Sequence, residues 1–195
     1  MPASPRPLFE ADLPNGFQYH GELITREEEA RLAEQIARLE FSPFEMRGFV
    51  ARRRVAFFGR SYDSGASVIP PLPEFLMPLR DAVAKWTTVD PRVFEMALIN
   101  EYRPGTPIGW HRDAPQYDIV AGISLLSSCR MKFRPYLRAD ARAPAGGRRR
   151  TATHEIVLEA RSAYLLAGES RDAYEHHIPA VTALRYSITF RTVRS

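Results

Sequence analysis

From Val93 onward the chain is written in short alternations of apolar and polar residues. The runs are 93–102, 117–127, 130–136, 153–159, 162–167 and 184–193, separated by clusters of Gly, Pro and Asp. Strands this short and this closely spaced leave no room for crossover helices. They must pair with near neighbours, as an antiparallel sandwich or barrel. The first ninety residues read differently. Thr25-Arg26-Glu27-Glu28 has capping-box form, and Leu32, Ile36 and Leu39 follow at helical spacing beside Ala33 and Ala37. This predicts an amphipathic helix of about 15 residues ending before Pro43. Phe75, Leu79, Val83 and Trp86 predict a second helix, with Pro78 in its first turn or kinking it. Residues 49–58 read as a strand carrying Arg52, Arg53 and Arg54, and residues 59–71 as a loop. The expected fold class is α+β, mainly β, with N-terminal helices bracing a sheet from outside.

With 195 residues, 45% of them hydrophobic, the chain can bury a core without covalent staples. Cys129 is the only cysteine, which excludes an internal disulfide and a Cys-rich zinc module. No run approaches the ~18 apolar residues of a membrane span. The Pro-rich start, Met1 to Pro7, has no apolar signal core. These features predict a soluble, cytoplasmic protein, taken as a monomer. Residues 1–16 are expected to form a flexible arm. A single domain then follows, with a helical, substrate-lid part over 17–92 and a β core over 93–195. The net charge is +4, and Lys85 and Lys132 are the only lysines among 27 basic residues. Arginine grips phosphate bidentately, so this excess suits a polyanionic partner, although GC-rich codon usage produces the same bias. Arg148-Arg149-Arg150 falls in a predicted basic hairpin loop, 138–150.

Three local patterns carry chemistry. In His111-Arg112-Asp113 an extended backbone puts the imidazole and the carboxylate on one face, two-thirds of a facial triad for non-haem Fe(II); a surface ion pair has the same sequence. In the last strand Tyr186, Ile188 and Phe190 share one face, and Arg185, Ser187, Thr189 and Arg191 the other. That polar face is either solvated or the lining of a barrel. The two arginines lie about 20 Å apart along a flat strand, a long span for one small dianion. In the third pattern Phe94, Met96, Leu98, Asn100 and Tyr102 form a face that turns from apolar to polar, as a strand does when it runs from core into a pocket or out to solvent. A third metal ligand must come from His20, His154, His176 or His177. Adjacent residues of an extended chain point opposite ways, so only one of the last two can face a site with the others.

Taken in order, Asn100-x-Tyr102-x-x-Gly105, His111-x-Asp113, Gly168-Glu169-Ser170-Arg171, His176 and Arg185-x-Ser187-x-Thr189-x-Arg191 resemble the AlkB family, over about Arg54 to Arg191. These are Fe(II)- and 2-oxoglutarate-dependent dioxygenases on a double-stranded β-helix, or jelly roll. The resemblance implies that His111, Asp113 and His176 ligate Fe(II), with His176 chosen over His177 because Ile178 supplies the family's His-x-Ile register. It implies that Arg185, helped by Tyr102, binds the distal carboxylate of 2-oxoglutarate. Arg191 and Asn100 would contact or brace the metal-chelating end, and Ser187 stands where relatives carry Asn or Ser. The implied reaction consumes O₂ and 2-oxoglutarate and removes N-alkyl groups from bases in DNA, or alternatively RNA, releasing formaldehyde, succinate and CO₂. The same oxygenase chemistry on a protein, tRNA or small molecule is the second reading. Base flipping is then required for a duplex substrate. Arg54 and its neighbours Arg52 and Arg53 resemble the basic stretch of relatives acting on duplex DNA, and Tyr62 and Trp110 are aromatic candidates for the flipped base. One departure concerns base preference. Where several relatives have an acidic residue after the metal-binding Asp, this chain has Ala114-Pro115, with no carboxylate until Asp118.

Overall fold

Thr25 caps the first helix as its sequence predicts. Its hydroxyl accepts from the Glu28 amide at 3.2 Å, and the Glu28 carboxylate accepts from the Thr25 amide at 2.8 Å. In the computed structural model, which describes residues 13–46, 49–60, 69–137 and 153–194, helix α1 is Arg26–Ala37 and α2 is Met77–Thr87. Helix α1 is shorter than the apolar spacing suggested. It stops at the Arg38 cap, and Leu39 packs onto the core from beyond the helix end. A 3₁₀ turn, Glu74–Leu76, leads into α2, and Pro78 sits in the first turn, where its missing N–H breaks no bond.

The strands are β1 Phe17–His20, β2 Ser42–Met46, β3 Phe49–Gly59, β4 Met96–Tyr102, β5 Ile108–His111, β6 Tyr117–Leu125, β7 Cys129–Pro135, β8 His154–Leu158, β9 Ala163–Leu166, β10 Tyr174–Ile178 and β11 Arg185–Val193; the short helix α3, Gly168–Asp172, precedes β10. They form a seven-stranded sheet in the order β1-β9-β6-β11-β4-β3-β2 and a four-stranded sheet in the order β5-β10-β7-β8. Every pairing is antiparallel. No helix among the described residues is long and apolar enough to cross a membrane.

Two apolar layers result. The outer one joins α1 and α2 to the larger sheet: Ile36, Leu76 and Val83 press on Ile99, Ile123, Ile188 and Phe190, all fully buried. Each such side chain contributes about 1.5–3 kcal/mol on burial. The inner layer lies between the sheets, with Met96, Tyr102 and Tyr164 from one and Met131, Phe133 and Ile178 from the other. Gly122 is fixed by that layer. A Cβ there would stand 2.2 Å from the Tyr164 ring, so only glycine lets the ring lie flat over β6.

Two expectations need correction here. The strand expected over 93–102 starts at Met96, because Asp90 caps a 3₁₀ turn at Pro91–Val93 and holds the chain out of the sheet. Phe94 therefore leaves the face assigned to it and packs on Phe190 in the outer layer. The arm expected over 1–16 lies outside the described residues for 1–12. Its last four residues are packed: Leu13 rests on the inner layer, and the carbonyls of Asn15 and Gly16 accept from the Ser170 and Ala167 amides. The 138–150 loop and its arginines also lie outside the described residues.

Candidate active site

Strand β5 pairs with β10 so that His111 stands directly opposite His176, and β10 continues to β7 on its other side. This register decides which of the two adjacent histidines faces inward. His176 is 6% exposed, with its ring centroid 4.2 Å from that of His111. His177 points the other way, its Nδ1 on the Ile108 carbonyl at 2.6 Å and its ring against Trp110. Just beyond β5, Asp113 brings Oδ2 to 3.7 Å from His176 Nε2. All three side chains line one cavity of about 480 Å³ between the sheets.

The larger sheet supplies the facing wall. The alternation in β11 is as the sequence indicates: Tyr186, Ile188 and Phe190 enter the outer layer, while Ser187, Thr189 and Arg191 line the cavity. Arg191 Nη2 donates to Asp113 Oδ1 at 3.0 Å. Arg185, fully buried, donates from Nε to Ser124 Oγ at 2.9 Å and lies 5.2 Å from the Tyr102 ring centre. Its two terminal nitrogens are buried with no hydrogen-bond partner among the described residues. The two arginines thus belong to separate clusters, one at the carboxylate and one deep beside Tyr102.

Electrostatics follows from this burial. Desolvation alone would raise the Asp113 pKa, but Arg191, His176, His111 and Arg171 outweigh it and hold the carboxyl well below its ordinary range. Burial, then the neighbouring His111, pushes His176 down to about 3, and burial likewise lowers His111. At neutral pH the trio is therefore two neutral imidazoles and one carboxylate, the protonation state in which all three can donate to a metal. His111 Nδ1 sits 2.9 Å from the Gly109 carbonyl, which can only accept, so the proton is on Nδ1 and the Nε2 lone pair is free.

A family model described as the 2OG-Fe(II) oxygenase superfamily matches residues 50–191. The chain belongs to that superfamily. Among curated proteins this oxygenase is similar to the alkylated DNA repair protein ALKBH8 homolog of Arabidopsis thaliana, 26% identical over 147 residues, 67% of this chain and 42% of the relative. It is also similar to the RNA demethylase ALKBH9B of the same plant, 30% identical over 127 residues, 63% of this chain and 24% of the relative. The chain thus spans less than half the length of either. Among solved structures, OsALKBH1 superposes with a TM-score of 0.65 at 15% identity, over 91% of this chain and 98% of the other. A Pseudomonas putida prolyl-4-hydroxylase gives 0.60 at 13%, over 92% and 94%. These two likenesses concern the fold, and they make the two-sheet sandwich a double-stranded β-helix. Within that superfamily, the two curated relatives it is similar to both bear AlkB-homologue names.

Members of this superfamily use Fe(II), 2-oxoglutarate and O₂. The residues present fit both groups. A fully buried guanidinium with two unpartnered terminal nitrogens calls for an anion, and a carboxylate satisfies both with parallel hydrogen bonds. The buried phenol of Tyr102 stays protonated, its pKa raised by burial, and can donate to the same anion. The histidine and carboxylate donors suit iron. As the side chains stand, no group of three His, Cys, Asp or Glu among the described residues is placed to hold a metal ion. The direct His111–His176 pairing sets two of the three donors side by side.

The structure also places the other sequence candidates. Trp110 lines the cavity, and the Arg134 guanidinium lies over its ring at 4.4 Å. Asn100 lines it too, accepting through Oδ1 from Arg53 Nε at 3.0 Å. Arg54 does not line it. In β3, residues 51, 53 and 57 face the cavity, so Arg54 falls on the opposite face and gives its fork to Glu101, at 2.5 and 2.9 Å. The inward arginine is Arg53, a residue the sequence alone could not separate from its neighbours. Tyr62 lies outside the described residues. Two further residues emerge only here. Tyr164 lines the cavity over Gly122, and burial raises its pKa. Arg171, 4% exposed, donates from Nη2 to the carbonyls of Ala114 and Tyr117 and so clips the loop after Asp113 to α3.

Proposed function

We propose that the chain is an oxidative demethylase of N-alkylated bases in nucleic acid, DNA first and RNA as the alternative, with His111, Asp113 and His176 holding Fe(II) and Arg185 with Tyr102 holding 2-oxoglutarate. The observation that carries the reading is a cavity between two sheets lined by a neutral-imidazole pair and a carboxylate, with the buried, unpartnered Arg185 guanidinium lying behind its Tyr102 wall. The nucleic-acid part is supported by the names of the two plant relatives and by the arginine-rich composition.

Fe(II), which His111, Asp113 and His176 would hold, and 2-oxoglutarate, which Arg185 and Tyr102 would hold, would together supply the O₂-dependent hydroxylation of the N-methyl group, with succinate and CO₂ as co-products. The resulting hydroxymethyl amine expels formaldehyde, and the proton from its hydroxyl ends on the base nitrogen. The protein's own residues do the rest. Arg191 engages Asp113 Oδ1 and leaves Oδ2 directed toward His176. The Gly109 carbonyl fixes the His111 tautomer. Phe57, Met96, Leu98 and Ile108 give the cavity apolar walls that exclude bulk water. A base must leave its stack to enter, which favours single strands or lesions that already weaken pairing.

The test is incubation with Fe(II), 2-oxoglutarate and a panel of methylated DNA and RNA oligonucleotides, scored for loss of 14 mass units, about one methylene. Formaldehyde release matched by succinate is expected, and Asp113→Ala should abolish both. Succinate formation that no oligonucleotide stimulates, while a protein or small-molecule extract does, overturns the nucleic-acid assignment.

A further inference from the structure

The charges lining the cavity are one-sided. Among the described lining residues the cations are Arg53, Arg191 and Arg112, whose guanidinium is turned to the Asp172 carbonyl and the Tyr136 ring, and the only carboxylate is Asp113. That carboxylate is already engaged, Oδ1 with Arg191 and Oδ2 facing His176. At the position following it, Ala114 lines the cavity and offers no charge. Arg53 is 9% exposed, with its guanidinium carbon 4.0 Å above the centre of the Phe44 ring. It commits Nε to Asn100, and the rest of its fork borders the cavity. The Phe44 ring below and the Asn100 oxygen beside it hold the fork in one plane, so its terminal N–H groups are presented to whatever enters.

The one carboxylate of this lining is committed to Arg191 and faces His176, so no unengaged acid stands ready for a positive charge, and a planar set of donors complements oxygen acceptors. Resting on the demethylase reading, we propose that the cavity selects neutral N-methylated bases whose methyl is flanked by carbonyl oxygens, with Arg53 as the specificity-determining residue that reads such an oxygen. N3-methylated thymine and uracil have this chemistry: they are uncharged, and O2 and O4 flank the methylated nitrogen. N3-methylated cytosine and N1-methylated adenine are cationic at neutral pH and carry an exocyclic amine beside the methylated nitrogen. For these the Arg53 guanidinium is a like charge facing a donor edge, in a low-dielectric cavity where both mismatches are magnified. Selectivity of this kind is a difference between two substrates and arises as much from rejecting one as from binding the other.

The experiment compares two single-stranded oligonucleotides of one sequence, carrying 3-methylthymine or 3-methylcytosine at the same position. Two readouts are taken: kcat/KM for demethylation with Fe(II) and 2-oxoglutarate, and fluorescence anisotropy with the protein prepared without iron. The expected result is a preference for 3-methylthymine of at least about tenfold in kcat/KM, with the same order in binding. Arg53→Gln should bring the ratio close to parity, and Arg53→Glu should invert it. The ratio is the quantity read because Arg53 touches Asn100, and a disturbed co-substrate site affects both substrates alike. A wild-type preference for 3-methylcytosine, or a ratio unmoved by Arg53→Gln, overturns the inference and leaves the demethylase reading standing. Absence of demethylation from every oligonucleotide, with 2-oxoglutarate still raising the melting temperature, overturns both.

Discussion

Arg191 and Asp113, 78 positions apart in the chain, meet in a 3.0 Å hydrogen bond that joins the larger sheet to the loop after β5. The bond fixes which carboxylate oxygen faces His176. Arg191→Lys keeps the charge but loses the planar fork that sets this angle. Affinity for Fe(II), or for Mn(II) as a redox-inert substitute, should fall by about ten- to a hundredfold. Direct metal titration, with circular dichroism to confirm the fold, measures it.

Arg185 makes a prediction of opposite sign for stability and for binding. Its two unpartnered terminal nitrogens make it an expensive side chain to bury alone. Arg185→Met fills similar volume without that penalty, so the ligand-free protein should gain about 1–3 kcal/mol. The stabilisation that 2-oxoglutarate gives the wild type should vanish in the same variant. Thermal melts with and without 2-oxoglutarate separate the two effects.

Gly122→Ala tests the contact beneath Tyr164. The new methyl would stand 2.2 Å from the ring and drive it toward the cavity. A loss of about 1–3 kcal/mol is expected from overpacking, with a raised KM for 2-oxoglutarate or substrate. Urea unfolding and steady-state kinetics check both halves. Pairing the change with Tyr164→Phe should restore little, because the clash is with ring carbons as well as the hydroxyl.

The Arg54–Glu101 pair predicts an acid limb in the stability curve. The hydrogen bond from Arg54 holds the Glu101 carboxyl below the ordinary glutamate range. In that range the unfolded chain binds more protons than the native one, so stability is present above about pH 4.5 and is lost as pH falls through the depressed native value. Glu101→Gln should flatten this limb. The partly exposed arginine limits the contribution to under about 1 kcal/mol. Unfolding midpoints from pH 7 to pH 3 give the comparison.

Some of this architecture could be read directly from residue order, and the exceptions are instructive. The last strand was legible because each of its two faces has its own residue type, apolar at 186, 188 and 190 and polar at 185, 187, 189 and 191. Strand parity showed only that one of His176 and His177 could face inward, and it was the resemblance, through the His-x-Ile pattern that Ile178 completes, that pointed to His176. Arg53 was hidden because three consecutive arginines carry no parity, and Phe57 and Phe58, both apolar, give none either. Tyr164 was hidden in Ala163–Leu166, a strand buried on both faces and therefore without alternation. The role of Arg171 depends on the carbonyls of Ala114 and Tyr117 across 57 and 54 positions, a contact with no local signature.

Strand β11 is the middle member of the larger sheet and, among the described residues, the last strand in chain order. Until it is in place, β6 and β4 each present a bare edge, and the helices have only two half-sheets to rest on. A product cut short before Arg185 would therefore carry two open templates for pairing with other molecules. Its fate would be aggregation or clearance rather than weak activity. The strand that bears the arginines is also the clasp that keeps the nascent chain from sticking to its neighbours.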